Sequence, residues 1–155
     1  MIIKFKKNKK YKKDIIIKNS NHKYLKYTNL LLIFSILYFF QYTKQKPILE
    51  YVFVLFLIII IIFSQLFWNN PIKNSQIHKI DAIIAKISII SFILYTLIYK
   101  FRYHCLFIIL FGTISFYFSN YYSKQQWCSN NHIFCHGLLH ILCFIFTLYT
   151  FSPIL

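Results

Sequence analysis

Apolar residues in this chain lie in long unbroken runs that alternate with short polar stretches. Apart from the first, each run approaches the about 17–25 residues that a membrane-spanning helix needs. Ile-rich runs also suit β-strands, but these runs are continuously apolar rather than alternating, and an isolated strand in lipid leaves its backbone unpaired. The pattern therefore predicts an all-α bundle of about five transmembrane helices over residues 29–42, 51–68, 80–99, 103–121 and 132–151.

The composition supports the membrane class. Of 155 residues, 58% are hydrophobic and 14% charged, whereas soluble domains carry about 25% charged residues. Pro47, Pro71 and Pro153 lie at the edges of runs, where helices tolerate proline. The chain is therefore predicted to be a polytopic protein whose first partner is the lipid bilayer.

The net charge of +15 is concentrated at the start of the chain, where ten lysines precede residue 28. We interpret residues 1–27 as a cytoplasmic tail that attracts anionic lipid headgroups, and residues 28–155 as the bundle. A nucleic-acid-binding arm is not favoured, because the tail has no RNA-binding or zinc-finger signature.

Candidate chemistry is concentrated between Cys128 and Cys143, in the sequence CSNNHIFCHGLLHILC. On a helix its three histidines and three cysteines fall within an arc of roughly 140°. A membrane helix collects imidazoles on one stripe when that stripe faces a metal, another polar helix or a water-filled cavity. The cysteines, for their part, suit a mixed Cys/His metal site, a redox pair or plain apolar packing.

Other polar groups are predicted at the same depth as these histidines. If the tail is cytoplasmic, His78 and Asp81 lie at the cytoplasmic start of the third helix, and Ser64 lies one turn inside the end of the second. His136 and Asp81 then differ in depth by about one turn. Asp81 is open to a second interpretation, as an N-cap that interacts favourably with the helix dipole.

The sequence HGLLH spaces His136 and His140 at i and i+4, as in helical zinc sites. A catalytic zinc ion would take these two ligands and a third from elsewhere, for which His78 is the best candidate. Asp81 would then orient or deprotonate the metal-bound water, and Ser64 would support it. Two other interpretations stay open: interhelical hydrogen bonds without a metal, and haem or another cofactor.

These positions resemble the CREST superfamily of membrane hydrolases, which includes the alkaline ceramidases and the progestin and adiponectin receptors. By position, Ser64 matches the family serine, Asp81 the family aspartate, and His136 with His140 the closing HxxxH. The resemblance implies a zinc ion held by three histidines, a lipid substrate and seven helices, whereas the apolar runs of this chain predict about five.

This chain departs from the CREST pattern at one ligand position. The family has its first histidine four residues after the serine, where this chain has Trp68. In the resemblance, His78 substitutes for that ligand from the following loop.

The sequence thus predicts an integral membrane protein with two alternative functions. One is a small zinc-dependent, CREST-like hydrolase that acts on a lipid amide or ester. The other is a non-catalytic multi-pass protein whose histidine, aspartate and serine groups form a structural polar seam.

Overall fold

A computed structural model describes residues 20–42 and 46–153 and is all-helical over its regular elements in these ranges. It confirms the predicted all-α fold. The first nineteen residues of the predicted tail lie outside the described part. After a 3₁₀ turn at Ser20–His22 come five helices: α1 Lys23–Tyr42, α2 Ile48–Asn69, α3 Gln76–Tyr99, α4 Tyr103–Gln125 and α5 Asn130–Phe151.

Four of the helices begin earlier than their apolar runs predict. α1 begins at Lys23 rather than at residue 29, α2 at Ile48 rather than 51, α3 at Gln76 rather than 80, and α5 at Asn130 rather than 132. Polar residues continue a helix readily at a membrane surface, where serine caps satisfy the first N–H groups. Ser75 and Ser129 provide these caps for α3 and α5.

Helices α2 to α5 are each long and apolar enough to cross a membrane. α1 has 20 residues and packs beside them against α2 and α5. The chain is therefore an integral, multi-pass membrane protein. Which end of the bundle faces the cytoplasm stays a prediction from the basic tail.

Helix α5 is the centre of the bundle. It packs extensively against α1 and α4 and less against α3, while α2 packs between α1 and α3, and α4 packs chiefly against α5. Helices that follow each other in the chain are antiparallel, so α1, α3 and α5 all begin at one end, and the contacts of α5 with α1 and α3 are parallel. We call it the histidine end, after His132, and the opposite end the glutamate end, after Glu50.

A hydrophobic core fills the half of the bundle towards the glutamate end. Phe53 stacks on Phe92 with ring centroids 4.6 Å apart, and Phe39 lies 4.9 Å from Phe151. A smaller apolar cluster at the histidine end contains Leu25, Phe67, Trp68, Cys128 and Ile133. The two cores leave a polar layer between them on α5.

Close packing of α1 on α5 depends on Gly137. A Cβ atom at this position would lie 3.6 Å from Leu25 Cδ2 and 3.9 Å from Thr28 Cγ2. These are ordinary contacts, so alanine fits, but a larger side chain has to displace α1.

We expect Gly137→Leu to lower the free energy of unfolding by about 1–3 kcal/mol through overpacking. The matched control is Gly112→Leu, because nothing lies within 4 Å of a Cβ at that position of α4. There the better helix former adds up to about 1 kcal/mol of stability. Unfolding in mixed detergent micelles, followed by tryptophan fluorescence, measures both. Equal effects of the two variants would contradict this packing.

Candidate functional site

The three α5 histidines form a row of imidazoles along the helix. Ring centroids lie 5.7 Å apart between His132 and His136 and 4.8 Å apart between His136 and His140. Two of these rings join α5 to other helices: His136 Nδ1 lies 3.0 Å from Ser119 Oγ of α4, and His140 Nδ1 lies 2.9 Å from Thr28 Oγ1 of α1. The row is therefore a polar seam between three helices.

The bond to Thr28 is compatible with a tautomer of His140 that leaves Nε2 free. The single hydroxyl hydrogen of Thr28 has two acceptors within reach, the carbonyl of Leu25 at 3.2 Å and His140 Nδ1 at 2.9 Å. In the tautomer in which it bonds to Leu25, the Thr28 oxygen accepts from His140 Nδ1, and neutral His140 keeps a lone pair on Nε2. That lone pair is available to a hydrogen-bond donor or a metal ion.

His132 and His78 have a different role, which the sequence analysis does not predict. Each follows a serine N-cap by three residues, and its backbone N–H donates to that serine, at 3.3 Å for His132 and 3.2 Å for His78. Each Nδ1 in turn accepts from the backbone N–H of the residue before the serine, Cys128 at 3.2 Å and Asn74 at 3.0 Å.

The two turns share the same backbone conformation as well. Both residues before the serine adopt positive φ, 67° for Asn74 and 55° for Cys128. The repeated pattern, a left-handed residue followed by Ser-x-x-His, is a variant of the capping box. Because Nδ1 accepts a bond, a neutral His78 or His132 carries its proton on Nε2 and has no lone pair left for a metal.

Aromatic rings lie around His78. It stacks on Phe67 at 4.8 Å and lies 5.2 Å from Trp127. Trp127 also lies 4.9 Å from His132, and its Nε1 donates to the carbonyl of Pro71 at 3.1 Å. Among the described residues, His78 has no direct ring contact with the histidine row. Its ring contacts reach the row only through these aromatic side chains.

Ser64 and Asp81 lie opposite each other across α2 and α3. The antiparallel register is fixed by three contacts on this face: Phe67 with His78, Phe53 with Phe92, and Glu50 with Tyr95. One turn from the first contact, the same register matches Ser64, which is buried, with the half-buried Asp81. No hydrogen bond or ion pair joins Asp81 to a histidine in the part of the chain that the structure describes.

The N-cap interpretation of Asp81 was wrong. Ser75 is the N-cap of α3, and its side chain accepts from the backbone N–H of His78. The helix therefore begins at Gln76, and Asp81 lies more than one turn inside it.

Trp68 occupies the space beside the histidine pair. Its ring lies 5.3 Å from that of His136, edge to face, and only 1% of the residue is exposed. Its Nε1 has no hydrogen-bond partner among the described residues. Position 68, where the CREST resemblance expects a histidine ligand, thus lies against His136 but carries an indole.

The fit of this site to zinc is partial. Tetrahedral coordination puts the centroids of two ligating imidazoles about 5 Å apart, close to the 4.8 Å between His136 and His140. Hydroxyl groups bound at both Nδ1 atoms leave Nε2 facing away, as in many metal sites. No group of three or more His, Cys, Asp or Glu within residues 20–42 and 46–153 is arranged to hold a metal ion. The zinc ligands named from the sequence stay a prediction.

Cys128 lies in apolar packing. It is buried with Leu25, Phe67, Trp68 and Ile133. Burial raises the pKa of its thiol to about 12, although nearby Lys73 lowers it in part. Since the thiolate is the nucleophile and the metal ligand, this supports the apolar-packing interpretation for Cys128.

A second buried polar group lies at the glutamate end, where the sequence pattern predicts none. Glu50 is fully buried in the first turn of α2, forms a salt bridge with Lys100 and accepts a 2.8 Å hydrogen bond from Tyr95. Lys100 also donates to the carbonyl of Thr150 at 2.7 Å. The available signal was the scarcity of acids, since Glu50 is one of three in the chain.

Comparisons with protein-family models, with curated proteins and with solved structures found no match.

We expect Thr28→Val to destabilise the bundle, because it removes the hydroxyl partner of His140 Nδ1 at nearly constant volume. Interhelical hydrogen bonds in membranes contribute about 0.6 kcal/mol on average and up to about 1.7. Thr113→Val is the matched control, since Thr113 is exposed and bonds only within its own helix, to Ile109. Equilibrium unfolding in mixed micelles measures the difference, and equal stabilities would argue against the bond.

We also expect Cys128 to react slowly with maleimide near pH 8. Its reactivity should rise about tenfold per pH unit towards its pKa of about 12, as the thiolate fraction grows. The test uses a chain in which the other three cysteines are alanine. Because Lys73 lowers this pKa, Lys73→Gln should slow the reaction further, whereas Lys79→Gln, at an exposed position, should not. Rapid labelling at pH 8 would contradict the assignment.

Proposed function

We propose that this chain is a non-catalytic multi-pass membrane protein, a remote relative of the CREST hydrolases in which the histidine row serves as a seam between helices. The observation that carries the proposal is the Trp68 ring, which lies 5.3 Å from His136 where the resemblance expects a zinc ligand.

The hydrogen bonds of the histidines support a structural role. His136 and His140 bond hydroxyl groups of α4 and α1. His78 and His132 accept bonds from the backbone at the starts of α3 and α5. Each ring thus has a partner that stabilises the fold without a metal ion.

The surroundings of the pair support the same conclusion. An indole is bulky and its nitrogen is a donor only, so Trp68 cannot ligate a cation. His78, the substitute third ligand, stacks on Phe67 and uses Nδ1 for capping. To reach the pair, the His78 ring would have to leave both contacts.

The proposal includes the environment of the chain. The basic tail would keep the N-terminus in the cytoplasm and attract anionic lipids. The histidine end of the bundle would then face the cytoplasm.

A zinc-dependent lipid hydrolase is the second candidate. The 4.8 Å spacing of His136 and His140, with a hydroxyl on each Nδ1, favours it. So does the register that sets Ser64 opposite Asp81. In this alternative His136, His140 and His78 hold the metal, which supplies an activated water. Asp81 accepts and donates the proton, and Ser64 supports Asp81. The substrate is a lipid amide or ester.

Metal content separates the two candidates. Wild-type protein purified from zinc-supplemented cells should contain no zinc above background after desalting. Trp68→His should bind about one zinc per chain, because it adds the third imidazole. Trp68→Phe removes the indole without adding a ligand and should bind none.

Two results would overturn the proposal. About one zinc per wild-type chain, lost on His136→Ala and accompanied by hydrolysis of a lipid ester, would establish the second candidate. A Trp68→His variant that folds but binds no zinc would contradict the argument that the indole at position 68 is what leaves the pair without a third ligand.

A further inference from the structure

The polar stripe of α5 continues beyond the histidines. After His132, His136 and His140 come Cys143, Thr147 and Thr150, each three or four residues from the last, which keeps them on one face. At about 1.5 Å per residue the stripe is about 27 Å long. That nearly equals the about 30 Å thickness of the hydrocarbon layer.

In the half nearer the glutamate end, hydroxyl pairs continue the seam. Thr147 Oγ1 lies 2.6 Å from Ser35 Oγ of α1, and Thr150 Oγ1 lies 2.8 Å from Thr96 Oγ1 of α3. All four residues are buried. The pairs need no water to stay bonded, so they can persist inside the hydrophobic core.

The seam ends at Glu50. Lys100 bonds both the carbonyl of Thr150 and the Glu50 carboxylate, and thereby links the stripe to a buried acid. Both Lys100 and Tyr95 bind Oε1. Oε2 has no partner in the described ranges, although the residue is 0% exposed.

Two further unpaired atoms lie beside the histidine half. They are Trp68 Nε1 and Asn29 Nδ2, both on residues that are 1% exposed and both without a partner in the described chain. Asn29 follows Thr28, the partner of His140, so it is level with that ring. Buried polar atoms left unpaired by protein are normally bonded to internal water. A water that accepts from these donors can donate to His140 Nε2.

We propose that this seam conducts protons between the two faces of the membrane, an activity that goes beyond the structural role proposed above. Histidine and acidic chains inside membranes are typical of proton relays. His136 and His140 each take a proton on one nitrogen and release one from the other, whereas His132, whose Nδ1 is bonded to the backbone of Cys128, lies at the end of the seam.

Each hydroxyl accepts a proton on its oxygen and gives up its own. At the glutamate end the Lys100 ammonium, which bonds both Thr150 and Glu50, gives a proton to the Glu50 carboxylate and regains one from the seam, and Glu50 releases its proton at Oε2. One proton enters and one leaves, and no group is changed.

The longest step in the relay runs from His140 to Thr147, about 10 Å along the helix. Cys143 lies midway and is only partly buried. Internal water has to complete this step, so the proton flux depends on it.

The test uses the full-length chain in liposomes that contain a pH-sensitive dye. A potassium diffusion potential set with valinomycin drives protons. We expect acidification faster than in protein-free liposomes. It should be lost in Thr147→Val, which removes a relay hydroxyl at nearly constant volume, and in Glu50→Gln. His104→Gln and Thr113→Val, exposed positions off the seam, should keep the wild-type rate.

Several outcomes would overturn the proposal: wild-type flux equal to that of empty liposomes, an unchanged rate in folded Thr147→Val, or an equal flux of sodium, which would indicate a leak. Thr147→Val keeps the test decisive if Glu50→Gln fails to fold. The structural role of the seam is measured separately by the stability of Thr28→Val, so the two proposals can fail independently.

Discussion

The bundle is organised by the requirement that polar atoms inside a membrane find partners within the protein. Helix α5 brings three imidazoles and two threonine hydroxyls into the bilayer. Left facing lipid, each would cost several kcal/mol. The structure pairs His132 with the loop before α5 and the other four with groups on α1, α3 and α4, so the helix with the most polar face becomes the helix with the most neighbours.

The two ends of the bundle meet the same requirement by different chemistry. At the histidine end, backbone N–H groups of the capping turns donate to Nδ1 of His78 and His132, and aromatic rings lie around both. At the glutamate end, one salt bridge joins α2 to the end of α3, and Lys100 extends the link to α5. Removing one partner of a buried ion pair typically costs about 3–5 kcal/mol, so this contact holds three helices together.

Much of the fold could be predicted because lipid makes the helix the default spanning element. The apolar runs gave the number and type of elements, and the three- and four-residue spacing gave the inward stripe of α5. The depth argument needed only alternating helix directions, and the α2–α3 register is compatible with it for Ser64 and Asp81.

What could not be predicted depends on rotation and register between helices, which no single helix encodes. Ser119 and Thr28 are ordinary polar residues until α5 rotates His136 and His140 towards them. Trp127, in a loop, carries no periodic signal, yet it contacts both His78 and His132. The capping role of these histidines could have been predicted, since the same Ser-x-x-His string precedes both the third and the fifth apolar run.

The position of the organising helix in the chain has a consequence for biosynthesis. α1 to α4 leave the ribosome before α5, and α4 has its main neighbour in α5. Until α5 inserts, Thr28, Ser35, Thr96 and Ser119 have no imidazole or hydroxyl of α5 to bond. The bundle is therefore complete only after the final described span has inserted. A nascent chain stalled before residue 130 would hold four helices without the polar partners that α5 supplies, and unsatisfied polar groups of this kind are a signal for membrane-protein quality control.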